Sequence, residues 1–174
     1  MRLTKQYAYA LLASIPADSS IDVWFQLQEL TQILKQSDQY VHALDVKAES
    51  FQNLRTILNG QFDAIVINFL EVITEEGMLH RLETITEDYY LVLVEENILF
   101  DVQVYSANPL GEQNKNQIES LIYNRWGENS MIHYQINKNL IGGIRLEVNG
   151  AVIDTTFRSR IDQIIREVQH GSKK

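Results

Sequence analysis

The residue types that most often carry out chemistry are scattered along this 174-residue chain, and their spacing fits no reaction. The histidines form no i, i+4 pair and have no cluster of carboxylates nearby, as a zinc site would require. Adjacent acidic residues occur, but neighbours on a helix point in different directions and do not share a site. We therefore expect no metal site, and half-buried or surface positions for the four histidines: His42, His80, His133 and His170.

The short motifs of common enzyme classes are also missing. Gly142-Gly143 lacks the third glycine and the strand-to-helix context of a dinucleotide fingerprint, and the chain has no Gly-Lys-Ser/Thr phosphate loop or Gly-x-Ser-x-Gly elbow. There are no cysteines, which excludes a thiolate nucleophile and a disulfide framework. These absences argue against the common enzyme classes, and we expect neither a cofactor nor a small-molecule ligand. The glycine pair is interpreted as a bulge or a site of close backbone approach.

Composition and charge indicate a soluble globular protein with two unlike parts. The chain is 45% hydrophobic and 22% charged, and no apolar run reaches the roughly 18 residues of a membrane span. Residues 1–105 hold 16 acidic and 6 basic side chains, whereas residues 106–174 hold 7 and 9. This asymmetry suggests two partners, or only two domains with different surfaces. The basic C-terminal end lacks the dense basic face of a nucleic-acid-binding protein, so no such binding is expected.

The first hundred residues have the apolar periodicity of helices joined by short breaks. Such a pattern predicts a compact antiparallel bundle of five to six helices. The helices are predicted at residues 3–15, 20–37, 48–58, 62–74 and 78–95, with a short apolar piece at 40–44.

After Glu96 the period changes from helical to alternating, which is typical of strands. The order strand, helix, strand, strand, strand, helix predicts a small C-terminal α+β domain, so the fold class is α+β and mostly helical. Asn149-Gly150 predicts a tight hairpin turn. The boundary is expected within residues 96–106, with domains at 1–105 and 106–174. The predicted elements are 100–105, 110–126, 131–136, a hairpin of 141–148 with 151–154, and a closing helix over 157–168.

Two helices of the bundle are apolar on more than one side. The first has one stripe that contains Leu3, Tyr7 and Leu11 and a second stripe that contains Ala8 and Leu12. The helix at 62–74 is apolar around most of its surface. Surplus apolar faces indicate either central burial or a groove that accepts another helix. Central burial is the simpler interpretation of the sequence alone.

Several motifs resemble those of one protein family. The C-terminal half carries Ser106-Ala107 before a helix start, then Gly142-Gly143, Asp154 and Arg158 in order. The N-terminal half carries Tyr7-Ala-Tyr-Ala and Asn68-Phe-Leu. Together these resemble the delta subunit of bacterial F-type ATP synthases, whose mitochondrial counterpart is the oligomycin-sensitivity-conferring protein. The chain departs from the family pattern where Met78 and Thr155-Thr156 replace the common arginine and Gly-Ser.

The resemblance implies a stator subunit of the peripheral stalk, which couples rotation to ATP synthesis without catalysing a reaction. It implies that the 1–105 domain binds the N-terminal helix of an α subunit between the family's first and fifth helices, predicted here at 3–15 and 62–74. The 106–174 domain would bind the b subunits, at the cytoplasmic face of the cell membrane. The residues expected to line the helix-binding groove are Tyr7, Ala10, Leu11, Ser14, Ile65, Asn68 and Val72.

The motif residues of the C-terminal half are interpreted as structural: Ser106, Ala107, Gly142, Gly143, Asp154 and Arg158. Two alternatives remain open at this point. One is a helical adaptor that uses the same groove for a role unrelated to ATP synthase. The other is a small enzyme, which would need a pocket with converging polar groups.

Overall fold

The computed structural model describes residues 2–36, 51–140, 143–153 and 161. They belong to two compact units, residues 1–98 and 99–174. The division falls inside the predicted interval of 96–106 but before the predicted domain limit at 105/106. That limit is corrected because the segment 100–106 pairs with two strands of the second unit. Within the described residues, no helix has both the length and the apolar character needed to cross a membrane.

The N-terminal unit consists of helices whose bounds follow the predicted ones closely. α4 begins two residues later than predicted, because Asp63 is extended and its amide donates to the Gln26 side chain. α5 follows a 3-10 turn at Leu79–Arg81, so it too begins later than predicted. The predicted piece at 40–44 lies outside the described residues. The helices are α1 (Leu3–Ala13), α2 (Ser20–Lys35), α3 (Phe51–Leu58), α4 (Ala64–Glu75) and α5 (Leu82–Glu95).

α5 is the helix against which both α1 and α2 pack. Contacts between α2 and α5 run in opposite directions along the two helices: Lys35 pairs with Glu83, whereas Tyr89 donates to the carbonyl of Ser20. α2 and α5 are therefore antiparallel, as predicted for the bundle. α1 and α5 instead run in the same direction, because Thr4 contacts Asp88 while the later Tyr9 contacts Glu95.

The C-terminal unit is a four-stranded sheet with one described helix. The strands are β1 (Phe100–Ser106), β2 (Ser130–Ile136), β3 (Ile144–Val148) and β4 (Ala151–Val152), and α6 (Glu112–Trp126) connects β1 to β2. The strand order is β2-β1-β3-β4; β1 and β2 are parallel, and the other pairs are antiparallel.

The hairpin turn is confirmed, since Asn149 and Gly150 have φ of 50° and 77° and join β3 to β4. β3 begins at Ile144, three residues later than predicted. Gly127, at φ of 88°, ends α6 as expected. The closing helix predicted at 157–168 is described only at Ile161, which is helical and buried. It joins a small aliphatic core: Val102, Val104, Ile118, Ile122, Ile144, Leu146 and Ile161.

Candidate partner-binding surfaces

α1 has a core face and an outward face. Thr4, Ala8 and Leu11 are buried in the bundle, and Leu11 is only 2% exposed. Leu11 was expected to line the groove; this is corrected, because it packs beneath the helix as part of the core. The other residues expected on α1 lie with Leu3 on the adjoining face, and Leu3 is 52% exposed. This outward stripe of α1 comprises Leu3, Tyr7, Ala10 and Ser14.

The outward stripe of α1 has the spacing of a helix-binding seam. Its members follow each other at intervals of four, three and four residues, the heptad spacing that presents one continuous face to a second helix. Ala10 and Ser14 are exposed and small, whereas Tyr7 is half-buried. Small residues at the centre of such a face allow a partner backbone to come close.

α1 is also fixed to α5 by two polar contacts. In the first, the carboxylate of Asp88 accepts from the Arg2 guanidinium at 2.8 Å and from the Thr4 hydroxyl at 2.6 Å, and Asp88 is 1% exposed. We call this the Asp88 clasp. In the second, the Glu95 clasp, the Glu95 carboxylate accepts from Lys5 at 2.6 Å and from Tyr9 at 2.9 Å. The hydrogen bond from Lys5, followed by that from Tyr9, lowers the pKa of Glu95.

Most of the apolar surface of α4 is buried, and a smaller part is exposed. Val66, Ile67 and Leu70 are buried in the core, so central burial accounts for much of the surplus that the sequence shows. A narrower outward stripe remains, made of Ile65, Asn68 and Val72 at intervals of three and four residues. Val72 is 48% exposed and Asn68 is also exposed, whereas Ile65 is half-buried.

Arg55 on α3 contacts this stripe. Its guanidinium donates to the Asn68 side-chain oxygen at 2.9 Å and forms an ion pair with Glu71 on the same helix. The Gln52 amide also donates to Glu71, at 3.3 Å. α3 thus holds two adjacent turns of α4 through polar side chains, and sequence analysis did not identify Arg55 because its partners lie 13 and 16 residues away.

The two outward stripes do not cover each other. The close helix pairs in the described part of the bundle are α1 with α5, α2 with α5, α3 with α4 and α2 with α4. α1 and α4 are not such a pair, and both stripes keep exposed apolar side chains. The predicted groove residues, except Leu11, are therefore accessible on the two helices that were expected to hold a partner.

The C-terminal motif residues that the structure describes shape the backbone. Ser106 ends β1, is buried, and donates from Oγ to the Asn108 carbonyl at 2.7 Å, while Ala107 follows at the turn. Gly143 has φ of 74° immediately before β3, a conformation that other residues adopt only with strain. Gly142, Asp154 and Arg158 lie outside the described residues.

A cavity of about 210 Å³ opens beside this turn, and its lining includes Ser106, Leu110 and Tyr134. The Tyr134 hydroxyl donates to Glu119 at 3.1 Å, and burial, followed by the charge of Glu119, raises the Tyr134 pKa. A phenol held protonated in this way is a poor general base. Over residues 2–36, 51–140, 143–153 and 161, no three His, Cys, Asp or Glu side chains group as metal ligands.

Comparisons with known proteins find relatives over almost the whole length of the chain. The ATP synthase subunit delta 1 of Vibrio atlanticus is 26% identical over 171 residues, which cover 96% of this chain and 96% of that protein. The ATP synthase subunit delta of Clostridioides difficile is 25% identical over 168 residues, with 93% of each chain covered. A chain in the cryo-EM structure of the Toxoplasma gondii mitochondrial ATP synthase hexamer has the same fold. It matches with a TM-score of 0.53 at 18% identity and covers 97% of this chain and 98% of that one.

The family model described as ATP synthase delta (OSCP) subunit matches residues 3–168, and therefore both units. The match spans nearly the whole chain and includes the outward stripes of α1 and α4. The protein accordingly belongs to the ATP synthase delta (OSCP) subunit family.

Proposed function

We propose that this chain, a peripheral-stalk subunit of an F-type ATP synthase by family membership, is a non-catalytic stator that holds the catalytic head against the b subunits. A rotating shaft produces useful work only if the head that surrounds it is kept from turning with it. The task of such a subunit is to bind two partners at once and transmit force between them. Binding surfaces are needed for this task, and reacting groups are not.

The helical unit is proposed to bind the N-terminal helix of an α subunit. The observation that carries this proposal is the pair of outward stripes, on α1 and α4, in which apolar residues at helical spacing remain exposed. An amphipathic helix buries its apolar face in such a groove, anchored by side chains about one turn apart. This assigns Tyr7, Ala10 and Ser14 to one wall and the α4 stripe to the other.

The C-terminal unit is proposed to bind the b subunits of the stalk. Two features support a separate partner for it: it is a separate compact unit, and residues 106–174 are slightly basic whereas residues 1–105 are strongly acidic. Surfaces of opposite sign favour different partners and suppress the wrong pairing. Through the b subunits, the protein would reside peripherally at the cytoplasmic face of the cell membrane.

The test of the helical unit is Ala10→Asp. Because Ala10 is exposed, the change leaves the bundle folded, but bound peptide would bury an unpaired carboxylate. We expect at least a tenfold loss of affinity, about 1.4 kcal/mol, for a synthetic peptide of the α-subunit N-terminus, measured by calorimetry.

The matched control is Ala13→Asp, the same change on the same helix but outside the outward stripe. It should bind the peptide like the unmodified protein. Equal affinity for the Ala10→Asp variant, with folding verified by circular dichroism, would rule out this groove. If the unmodified protein does not bind the peptide at all, the chain acts as a helical adaptor for another partner.

A further inference from the structure

Asn68 is the polar member of an otherwise apolar stripe. It lies three residues after Ile65 and four before Val72, so the three side chains share one face of α4. A carboxamide between two apolar side chains interrupts the apolar surface that a helix would cover. On covering this face, a partner either pairs with the amide or leaves it unsatisfied, at a cost in binding.

The orientation of this amide is fixed by chemistry. Arg55 carries only donors, and it approaches Asn68 at 2.9 Å, so the atom that faces it must be the carbonyl oxygen Oδ1. The amide nitrogen Nδ2 then points away from Arg55. Within the described parts of the chain, Nδ2 donates to no other group. The exposed end of Asn68 is therefore a donor.

Arg55 itself is held in place by its second contact. The ion pair with Glu71 fixes the guanidinium plane, and Gln52 supports Glu71 from the other side. A planar guanidinium reaches both Asn68 and Glu71 at once, whereas a lysine ammonium is a single point charge on a flexible stem. The arrangement therefore depends on arginine at this position and not on positive charge alone.

We infer that Asn68 donates a hydrogen bond from Nδ2 to the α-subunit helix, and that Arg55 is the positioning residue that aims this donor. The inference rests on the proposed binding of that helix. It specifies the partner further: the helix presents a side-chain oxygen acceptor between two apolar residues that cover Ile65 and Val72. Asn68 thereby sets the register of the bound helix, because a one-residue shift removes the acceptor.

The Asn68→Asp substitution tests the exposed donor separately from the size of the side chain and from its contact with Arg55. The aspartate keeps an oxygen for Arg55 and the same shape, but an acceptor replaces the exposed donor. Two acceptors then face each other in the complex. We expect Asn68→Ala to weaken binding of the α-subunit peptide by about threefold to tenfold, and Asn68→Asp by about tenfold to a hundredfold.

Added negative charge could weaken binding of an acidic peptide without any such contact. Salt separates the two effects, because charge interactions at the surface are largely screened at 1 M ionic strength, where the Debye length is about 3 Å. The order of affinities, with asparagine tightest and aspartate weakest, should persist at 1 M salt. Equal affinities for the aspartate and alanine variants there would overturn the inference.

The role of Arg55 is tested by a double-mutant cycle. Arg55→Ala and Arg55→Lys should each weaken binding several-fold when residue 68 is asparagine, and should have little effect in the Asn68→Ala background. A purely structural role would give the same loss in both backgrounds, which would overturn the assignment. If the unmodified protein does not bind the peptide, the proposed function fails; if it binds and the Asn68 variants match it, only the present inference fails.

Discussion

The helical unit and the α/β unit are stabilised in different ways. The bundle core includes large aromatic side chains such as Trp24, Phe51 and Tyr89, together with hydrogen-bonded polar groups such as Thr31 and Thr86. In the described part of the α/β unit, the buried cluster at the centre is aliphatic. Among the described residues, the exposed large apolar side chains of the bundle are Leu3, Phe25, Ile33, Ile57, Val72 and Leu91, and those of the α/β unit are Tyr123, Ile136 and Val152.

This difference shows how the arrangement of elements is fixed in each unit. Helices pack through side chains alone, so the bundle depends on polar contacts such as the two clasps to fix which helix lies where. In the α/β unit the backbone ladder fixes the strand register. A surface made by helix packing can therefore be altered by single side chains, whereas the sheet is sensitive to backbone conformation.

The largest expected effect comes from separating the two units. A fragment of residues 1–98 should fold cooperatively by itself, because its core is its own, and should keep peptide binding while losing all attachment to the b subunits. Circular dichroism and pull-down with purified b subunits measure this. A disordered fragment, or one that still captures the b subunits, would show that the division of roles is wrong.

A smaller effect is expected where the sheet depends on one glycine. Gly143→Val forces a β-branched residue to φ of 74°, at a cost of about 1–3 kcal/mol of unfolding free energy. The loss should appear as a lower denaturant midpoint for unfolding of the C-terminal α/β unit. In membranes the variant should uncouple ATP hydrolysis from proton pumping, while the detached heads hydrolyse ATP normally.

Gly111→Ala is the matched control in the same unit. Gly111 precedes α6 at an ordinary φ of −71°, and a Cβ there meets no atom within 4 Å, so the free energy of unfolding should change by less than about 0.5 kcal/mol. Equal losses for both glycine variants would remove backbone conformation as the explanation. If the Gly143→Val change abolishes hydrolysis by detached heads, the chain takes part in catalysis and the stator role is wrong.

The smallest expected effect concerns the Glu95 clasp and its dependence on pH. The hydrogen bonds from Lys5 and Tyr9 lower the pKa of Glu95 in the folded protein, so the clasp is stabilising above the unfolded carboxyl pKa and is lost as pH falls through the folded value. The same contact raises the pKa of Lys5, so stability is also lost in strong alkali. Glu95→Gln should therefore speed hydrogen exchange at the start of α1 near neutral pH and make no difference in acid.

The comparison variant is Glu83→Gln. Glu83 lies on α5, as Glu95 does, but it forms an exposed ion pair with Lys35 of α2. The substitution removes an equal charge without touching α1, so exchange in α1 should stay unchanged. If both variants loosen α1 equally, net charge and not the clasp is responsible. The Asp88→Asn variant should have a larger effect than Glu95→Gln, because Asp88 is buried and the change removes its ion pair with Arg2.

Local patterns were sufficient to predict most of the fold. Helical spacing located α1 to α6, and Asn149-Gly150 identified the hairpin, because these signals reside in neighbouring residues. The domain limit was placed too late because the sequence alone did not show that β1 pairs with β2 and β3. Such pairing joins residues far apart in the chain.

The candidate site was predicted less completely, for the same reason. Leu11 lies next to Tyr7 on a helical projection, but the core side of α1 is set by Thr4 and Ala8. A buried threonine is not recognisable until its partner Asp88 is known. Arg55 and Asn68 are likewise paired only in three dimensions. Tyr7, Ala10 and the α4 stripe were accessible to sequence analysis because their spacing alone identifies a shared face.

The parallel course of α1 and α5 has a mechanical consequence. Asp88 and Glu95 are seven residues apart, so the two clasps are spaced by about 10 Å along the helix axis. A pull along that axis loads both clasps together in shear, whereas a pull that lifts the first turn of α1 loads them one after the other, as in a zipper. α1 therefore withstands lengthwise tension better than peeling, which suits a component that must resist torque in a sustained direction.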